Sequence, residues 1–198
     1  MDKPKSDQLL TIPDDTPIGE RLGQQQRELL NKSQPLLMMA HRAIVHDVQE
    51  RDGEFLPFGI GVSTNGELCT VFVEPNPLFP DGEKILIGED QSSFGVDNIG
   101  VEKAIGYVTL MLQNKAHTGR IVVAVNCFPS PVIKSENNSR TGTINICLED
   151  IHKTAIYCFG TYHLFAGGQG WEFSNLSGKA MESIIFKKPD QDFNSLLV

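Results

Sequence analysis

The chain has 198 residues, 40% of them hydrophobic, with 18 glycines: enough apolar material to bury the core of one ordinary domain and too much for a disordered chain. Against 25 acidic residues stand 17 basic ones, a net charge of -8 with Lys187-Lys188 as the longest basic cluster, which opposes nucleic-acid binding and favours an acidic partner-binding surface. No apolar run approaches the roughly 20 residues of a membrane span, and the opening MDKPKSDQLL lacks the apolar core of a secretion signal, so the expected location is the cytoplasm.

Residues 1–23 are rich in Pro, Asp, Lys and Gln with little apolar periodicity, which predicts a mobile arm with Leu9, Leu10 and Ile12 as docking points. Helical spacing starts near Glu20, runs through RLGQQQRELLNK and meets Pro35, which suits the first turn of a second helix. In that helix Leu37, His41, Ile44 and Val48 form one stripe, with Ala40 and Val45 beside it, and Asp52-Gly53 ends it.

The stretch LPFGIGVSTNGELCTVFV, residues 56–73, reads as a β-hairpin closed by Asn65-Gly66 as a two-residue type I′ turn. That turn pairs Thr64 with Glu67, Val62 with Cys69, Ile60 with Val71 and Phe58 with Val73, putting all the apolar members of those pairs on one core face. The other face carries Gly59 and Gly61, a side-chain-free groove for a packed helix, a filling aromatic such as Phe72, or a ligand.

Residues 74–95 form a long, proline-rich acidic connection with a short edge strand expected near residues 84–87. A third helix follows over about residues 98–115, with Val101, Ile105, Val108 and Leu112 on one face and Gly119 as its stop. RIVVAVNCF, residues 120–128, is a continuous apolar run between Gly119 and Pro129, as expected of a central strand, and residues 129–140 read as an exposed loop. Thr143, Asn145 and Glu149 alternate outward against Ile144, Ile146 and Leu148, and residues 154–162 answer them as a second hairpin. Residues 167–186 begin with GGQG and Trp171 and end in MESIIF, which fits a short helix or an edge strand equally, and residues 187–198 form a tail ending in Leu196, Leu197 and Val198.

Chemistry-bearing residues are sparse. Cys69, Cys127, Cys147 and Cys158 lack CxxC spacing and lie in predicted strands, so they read as reduced packing residues, with a disulfide as the alternative. His41 and His46, five positions apart, point about 140° from each other around one helix and cannot share a metal. Cys127 with His163 and Glu149 or Asp150 is the one nucleophile, base and orienter set, although nothing adjacent in sequence lowers the thiol pKa. GGQG lacks the Lys-Ser/Thr of a phosphate loop, and the carboxylates Glu74, Asp81, Glu83, Glu89 and Asp90 do not have calcium-loop spacing. Tyr162, His163 and Trp171 flank the glycine loop as a candidate recognition patch, and Glu83, Glu89 and Asp90 supply a candidate acidic one. No catalytic residue, cofactor or metal is assigned.

The N-terminal helix, FLPFGIGVSTNGEL, the middle helix, RIVVAVNCF and TGTINICLEDIHKTAIYCF together resemble a group of small bacterial proteins in which a Pro-Phe-Gly hairpin, a helix and a strand ending in a Leu-Glu-containing segment recur. The resemblance spans about residues 40–162 and rests on turn and strand signals, so it carries over no catalytic residue. Some members of that group look like toxin-neutralising immunity proteins, which implies an acidic inhibitor of a basic toxin.

The expectation is therefore an α+β domain over residues 24–186: a single, mainly antiparallel sheet of about five or six strands with two or three helices packed on one face. The leading function is a non-catalytic interaction protein whose partner is another protein, with an acidic immunity-type inhibitor as its specific form. The alternatives are a cysteine-dependent hydrolase or transferase built on Cys127 and His163, and a homo-oligomeric structural module.

Overall fold

The computed structural model describes residues 10–11, 22–73, 82–84, 98–134, 140–164 and 170–187. In chain order the elements are β1 (Leu10–Thr11), α1 (Gln24–Lys32), α2 (Gln34–Glu50), β2 (Phe58–Val62), β3 (Leu68–Phe72), β4 (Glu83–Lys84), α3 (Asn98–His117), β5 (Val123–Lys134), β6 (Arg140–Asp150), β7 (Ala155–Leu164), β8 (Trp171–Phe173) and β9 (Leu176–Ala180). One sheet runs β1-β9-β7-β6-β5-β2-β3-β4, with β8 beside β9 on the same edge of β7. The two-residue strands β1 and β4 pair in parallel with β9 and β3, and every other pairing is antiparallel. The fold is α+β with a single sheet. It has more strands than expected because the arm and the long connection each lend a short edge strand, and residues 170–180 supply two more.

Helices cover both faces of this sheet, not one. On the first face Leu37, Ala40, Ile44 and Val48 of α2 are fully buried in a core with Ile60, Val125, Ile146, Leu148 and Ile156, and each such Leu or Ile stabilises the fold by about 1.5–3 kcal/mol. On the second face Ala104, Val108 and Leu112 of α3 pack with Val71, Ile121, Ala124 and Ile185. A part-buried polar bond also seats α3: Asn126 Nδ2 donates to Thr109 Oγ1 at 2.9 Å. Its C-terminus closes as expected, with Gly119 at φ +70° and the Arg120 N–H reaching Lys115 O at 2.9 Å.

The first hairpin differs from expectation by one residue of register. Ser63 faces Glu67, Val62 pairs with Leu68, Ile60 with Thr70 and Phe58 with Phe72. The loop is Thr64-Asn65-Gly66, and only Gly66, at φ +80°, is left-handed, so the turn is a three-residue type I loop with a glycine bulge rather than type I′. Ser63 Oγ stabilises it by accepting from the N–H groups of Asn65 at 3.2 Å and Glu67 at 3.1 Å. The slip turns Phe72 toward α2 with Phe58 and Ile60, and turns Val71 and Val73 toward α3 with Gly59 and Gly61. The glycine groove is filled by α3 and the segment after it: a Cβ on Gly59 would lie 2.7 Å from Leu112 Cδ1 of α3, and one on Gly61 would lie 2.6 Å from Ile121 Cγ2, beyond the helix end.

β5 is the central strand, but it continues through Pro129 and Pro131 to Lys134, where a loop was expected. Its pairing with β2 ends at Cys127, so beyond that point β5 is bonded only to β6 and a proline there need not cost a ladder bond; the register shifts between Ser130 and Ile133. Residues 181–187, where a helix or an edge strand was expected, are neither. They cross the second face irregularly and insert Ile185 and Phe186 against α3.

Candidate functional site

The strand β7 alternates, and its two sets of side chains meet different surroundings. Ile156, Cys158 and Tyr162 face α1 and α2, whereas Tyr157, Phe159, Thr161 and His163 share the second face. There Tyr157 pairs with Cys147 and Lys179, and Phe159 with Asn145 and Ser177. α3 covers β2, β3 and β5 on that face, and residues 181–187 cover its Glu149 end. The described residues place no further element over the β6-β7-β9 half.

The open half carries a held aromatic pair. The rings of Tyr157 and Phe159 stack with centroids 5.7 Å apart, and Lys179 Nζ stands 5.8 Å from the Tyr157 centroid. The Tyr157 hydroxyl donates to Asn145 Oδ1, while Asn145 Nδ2 donates to Phe128 O at 3.1 Å and Ser130 Oγ at 3.0 Å. Asn145, expected to point to solvent, is 2% exposed and works as an internal bracket; Phe159 above it is 38% exposed. Burial, then the Cys147 and Cys158 thiols, push the Tyr157 phenol up, so it remains a neutral donor at physiological pH. The result is an aromatic pair beside a cation, held from below by hydrogen bonds.

The residues expected to form a site are dispersed. Tyr162 is fully buried: its hydroxyl donates to Gly53 O at 2.9 Å, and its ring lies against Trp171 and Phe173. Trp171 fills the space beside Gly53, where a Cβ would come within 2.3 Å of the indole, so Tyr162 and Trp171 are packing residues of the first face. His163 lies on the second face, paired with Glu172 Oε2 at 2.9 Å. Glu83 lies in β4; Glu89 and Asp90 lie outside the described residues, as do Glu74, Asp81 and most of GGQG. Tyr157, Phe159 and Lys179 were missed, although strict alternation from Ile156 to Tyr162 puts both aromatics on the face away from the first core.

No nucleophilic set is assembled around Cys127. That thiol faces the first core, fully buried, and burial, with Cys147 and Cys158 next in order, pushes its pKa well above the ordinary value. His163 is on the opposite face, and along β7 it stands eight residues from Ala155, the register partner of Glu149, a separation of roughly 27 Å. Glu149 itself is committed elsewhere: its Oε2 accepts from Ser183 Oγ at 2.8 Å, Ile184 N at 2.9 Å and Ile185 N at 2.8 Å. Asp150 Oδ1 serves its own turn, accepting from His152 N and Thr154 N. His41 stands edge-on to Phe173, ring centroids 5.9 Å apart, and burial lowers its pKa; His46 Nδ1 is 3.7 Å from Asp47 Oδ1. Among the described residues no three His, Cys, Asp or Glu side chains are grouped to hold a metal ion, and no helix is long and apolar enough to cross a membrane.

Comparison with protein-family models, with curated proteins and with solved structures finds no match.

Proposed function

We propose that the chain is a non-catalytic binding protein that takes another protein on the open half of its second sheet face, around Tyr157, Phe159 and Lys179. The observation that carries this reading is the stacked Tyr157–Phe159 pair, braced from below by Asn145, with Phe159 38% exposed and no described element above it. Aromatic anchors on a preorganised surface lose little conformational entropy on binding, and this is where interface energy concentrates. The net charge of -8 supports a basic partner, whose encounter it would accelerate, as for an immunity-type inhibitor and a basic toxin. Burial of Cys127, Cys147 and Cys158 supports a role without a reactive thiol.

A photo-crosslinking residue placed at Thr161 tests this in extract of the source cells, with the same residue at Glu50, exposed on α2, as the control. The expected result is one adduct specific to position 161 and lost in Phe159→Asp, a change whose fold is checked by circular dichroism. The same adducts from both positions, or an adduct that survives Phe159→Asp, would overturn the assignment.

A further inference from the structure

On the other side of the sheet a cleft of about 540 Å³ opens between α1, the end of β2, the start of β5 and the β6–β7 turn. That volume falls in the range of small-molecule sites, about 300–1,000 Å³. Its walls are apolar, formed by Leu29, Leu36, Val62, Val122, Val123 and Ile151, and Ile151 is 51% exposed.

The polar groups of the cleft are unequal. Ser33 and Thr154 line it at 6% and 7% exposure, and neither hydroxyl bonds to another described residue. Neither hydroxyl is sealed from solvent, so both can donate to a ligand oxygen in the cleft. Lys32 on α1 and His152 on the turn also line the cleft, and among the described residues neither side chain has an ion-pair or hydrogen-bond partner. Both carboxylates nearby are engaged: Asp150 Oδ1 accepts from His152 N and Thr154 N, each at 3.0 Å, and Glu28 Oε1 accepts from Gln24 Nε2 at 3.0 Å. Donors are therefore uncommitted while acceptors are partly satisfied.

From this arrangement we infer that the cleft binds a small amphipathic carboxylate, its apolar body on the Leu29, Leu36 and Val123 walls and its head among Lys32, Ser33, His152 and Thr154. The site is independent of the protein-binding face.

Calorimetric titration with octanoate, octanol and octylamine, which share one apolar body, tests the head group. Octanoate should bind tightest, and Lys32→Gln and the double change Ser33→Ala with Thr154→Val should each weaken it roughly tenfold, the equivalent of one charged or two neutral hydrogen bonds. Lys32 is exposed and Ser33 makes no side-chain cap, so the fold should survive both, as checked by circular dichroism. Equal affinity for all three ligands, tighter binding of octylamine, or octanoate affinity unmoved by both variants overturns the carboxylate assignment, and no binding of any of the three overturns the site.

Discussion

At the residue scale, Gly66 and Lys153 hold equivalent places in two copies of one turn. Each hairpin closes with three loop residues, the third left-handed, at φ +80° for Gly66 and +64° for Lys153, and each loop is bracketed by a side-chain acceptor two residues before its centre, Ser63 or Asp150. A Cβ in that conformation costs about 1 kcal/mol or slightly more, and a Cβ on Gly66 would meet nothing, so the backbone alone decides. Lys153→Gly should therefore stabilise by about 0.5–1 kcal/mol and Gly66→Ala should destabilise by about 1 kcal/mol in urea unfolding. Glu149 shows a second residue-scale effect. Burial pushes its carboxyl up from 4.5, and the bonds from Ser183, Ile185, Ile184 and Phe186 offset this only in part. The folded chain thus holds this proton more tightly than the unfolded one, so Glu149's contribution to stability falls as pH rises from about 4.5 through the folded value and then levels. Glu149→Gln removes that titration, and the stability difference should move in the variant's favour across the interval when urea midpoints are compared at stepped pH. A difference independent of pH would show that the carboxyl titrates alike in both states.

At the element scale, the seating of α3 depends on the absence of a side chain at Gly59. Gly59→Ala forces its methyl to 2.7 Å from Leu112 Cδ1 and 3.0 Å from Val108 Cγ1, and such overpacking should cost about 1–3 kcal/mol, read as a lower urea midpoint with an unchanged slope. The groove was legible in FGIGV, but the identity of its partner side chains was not. β3 is apolar on both faces, with Val71 facing one helix layer and Phe72 the other, so the hydrophobic pattern gives no preference between two registers one residue apart. The choice fell to the loop, where Ser63 Oγ bonds favour three residues over two. Pro129 and Pro131 misled in the opposite sense, because a proline argues against a strand only where both neighbours need its N–H, and β2 ends before them.

At the scale of the whole molecule, both sheet faces are buried over much of their area, and this governs the thiols. Cys127, Cys147 and Cys158 sit on adjacent strands; burial, followed for Cys147 by Glu149 and for Cys158 by Cys147, pushes those two thiols to about 12, and Cys127 is also pushed up. Labelling at neutral pH with mass-spectrometric mapping should find half-buried Cys69 first and the other three only on unfolding; native-state reaction at Cys127 would contradict the non-catalytic reading. What the amino-acid sequence determined by itself was the placing of elements, because helix periodicity, Pro35 at a first turn, Gly119 at a helix end and the two turn-forming stretches act over a few neighbouring residues. It also exposed the central strand through its apolar run. What only the tertiary structure decided was what each face meets. Tyr162 and Phe159 lie in one strand, yet one closes against Gly53 and Trp171 while no described residue closes over the other. Alternation along the strand assigns the two rings to opposite faces, but what lies on each face depends on packing between segments far apart in the chain: Gly53 and Trp171 on the first, α3 and residues 181–187 on the second.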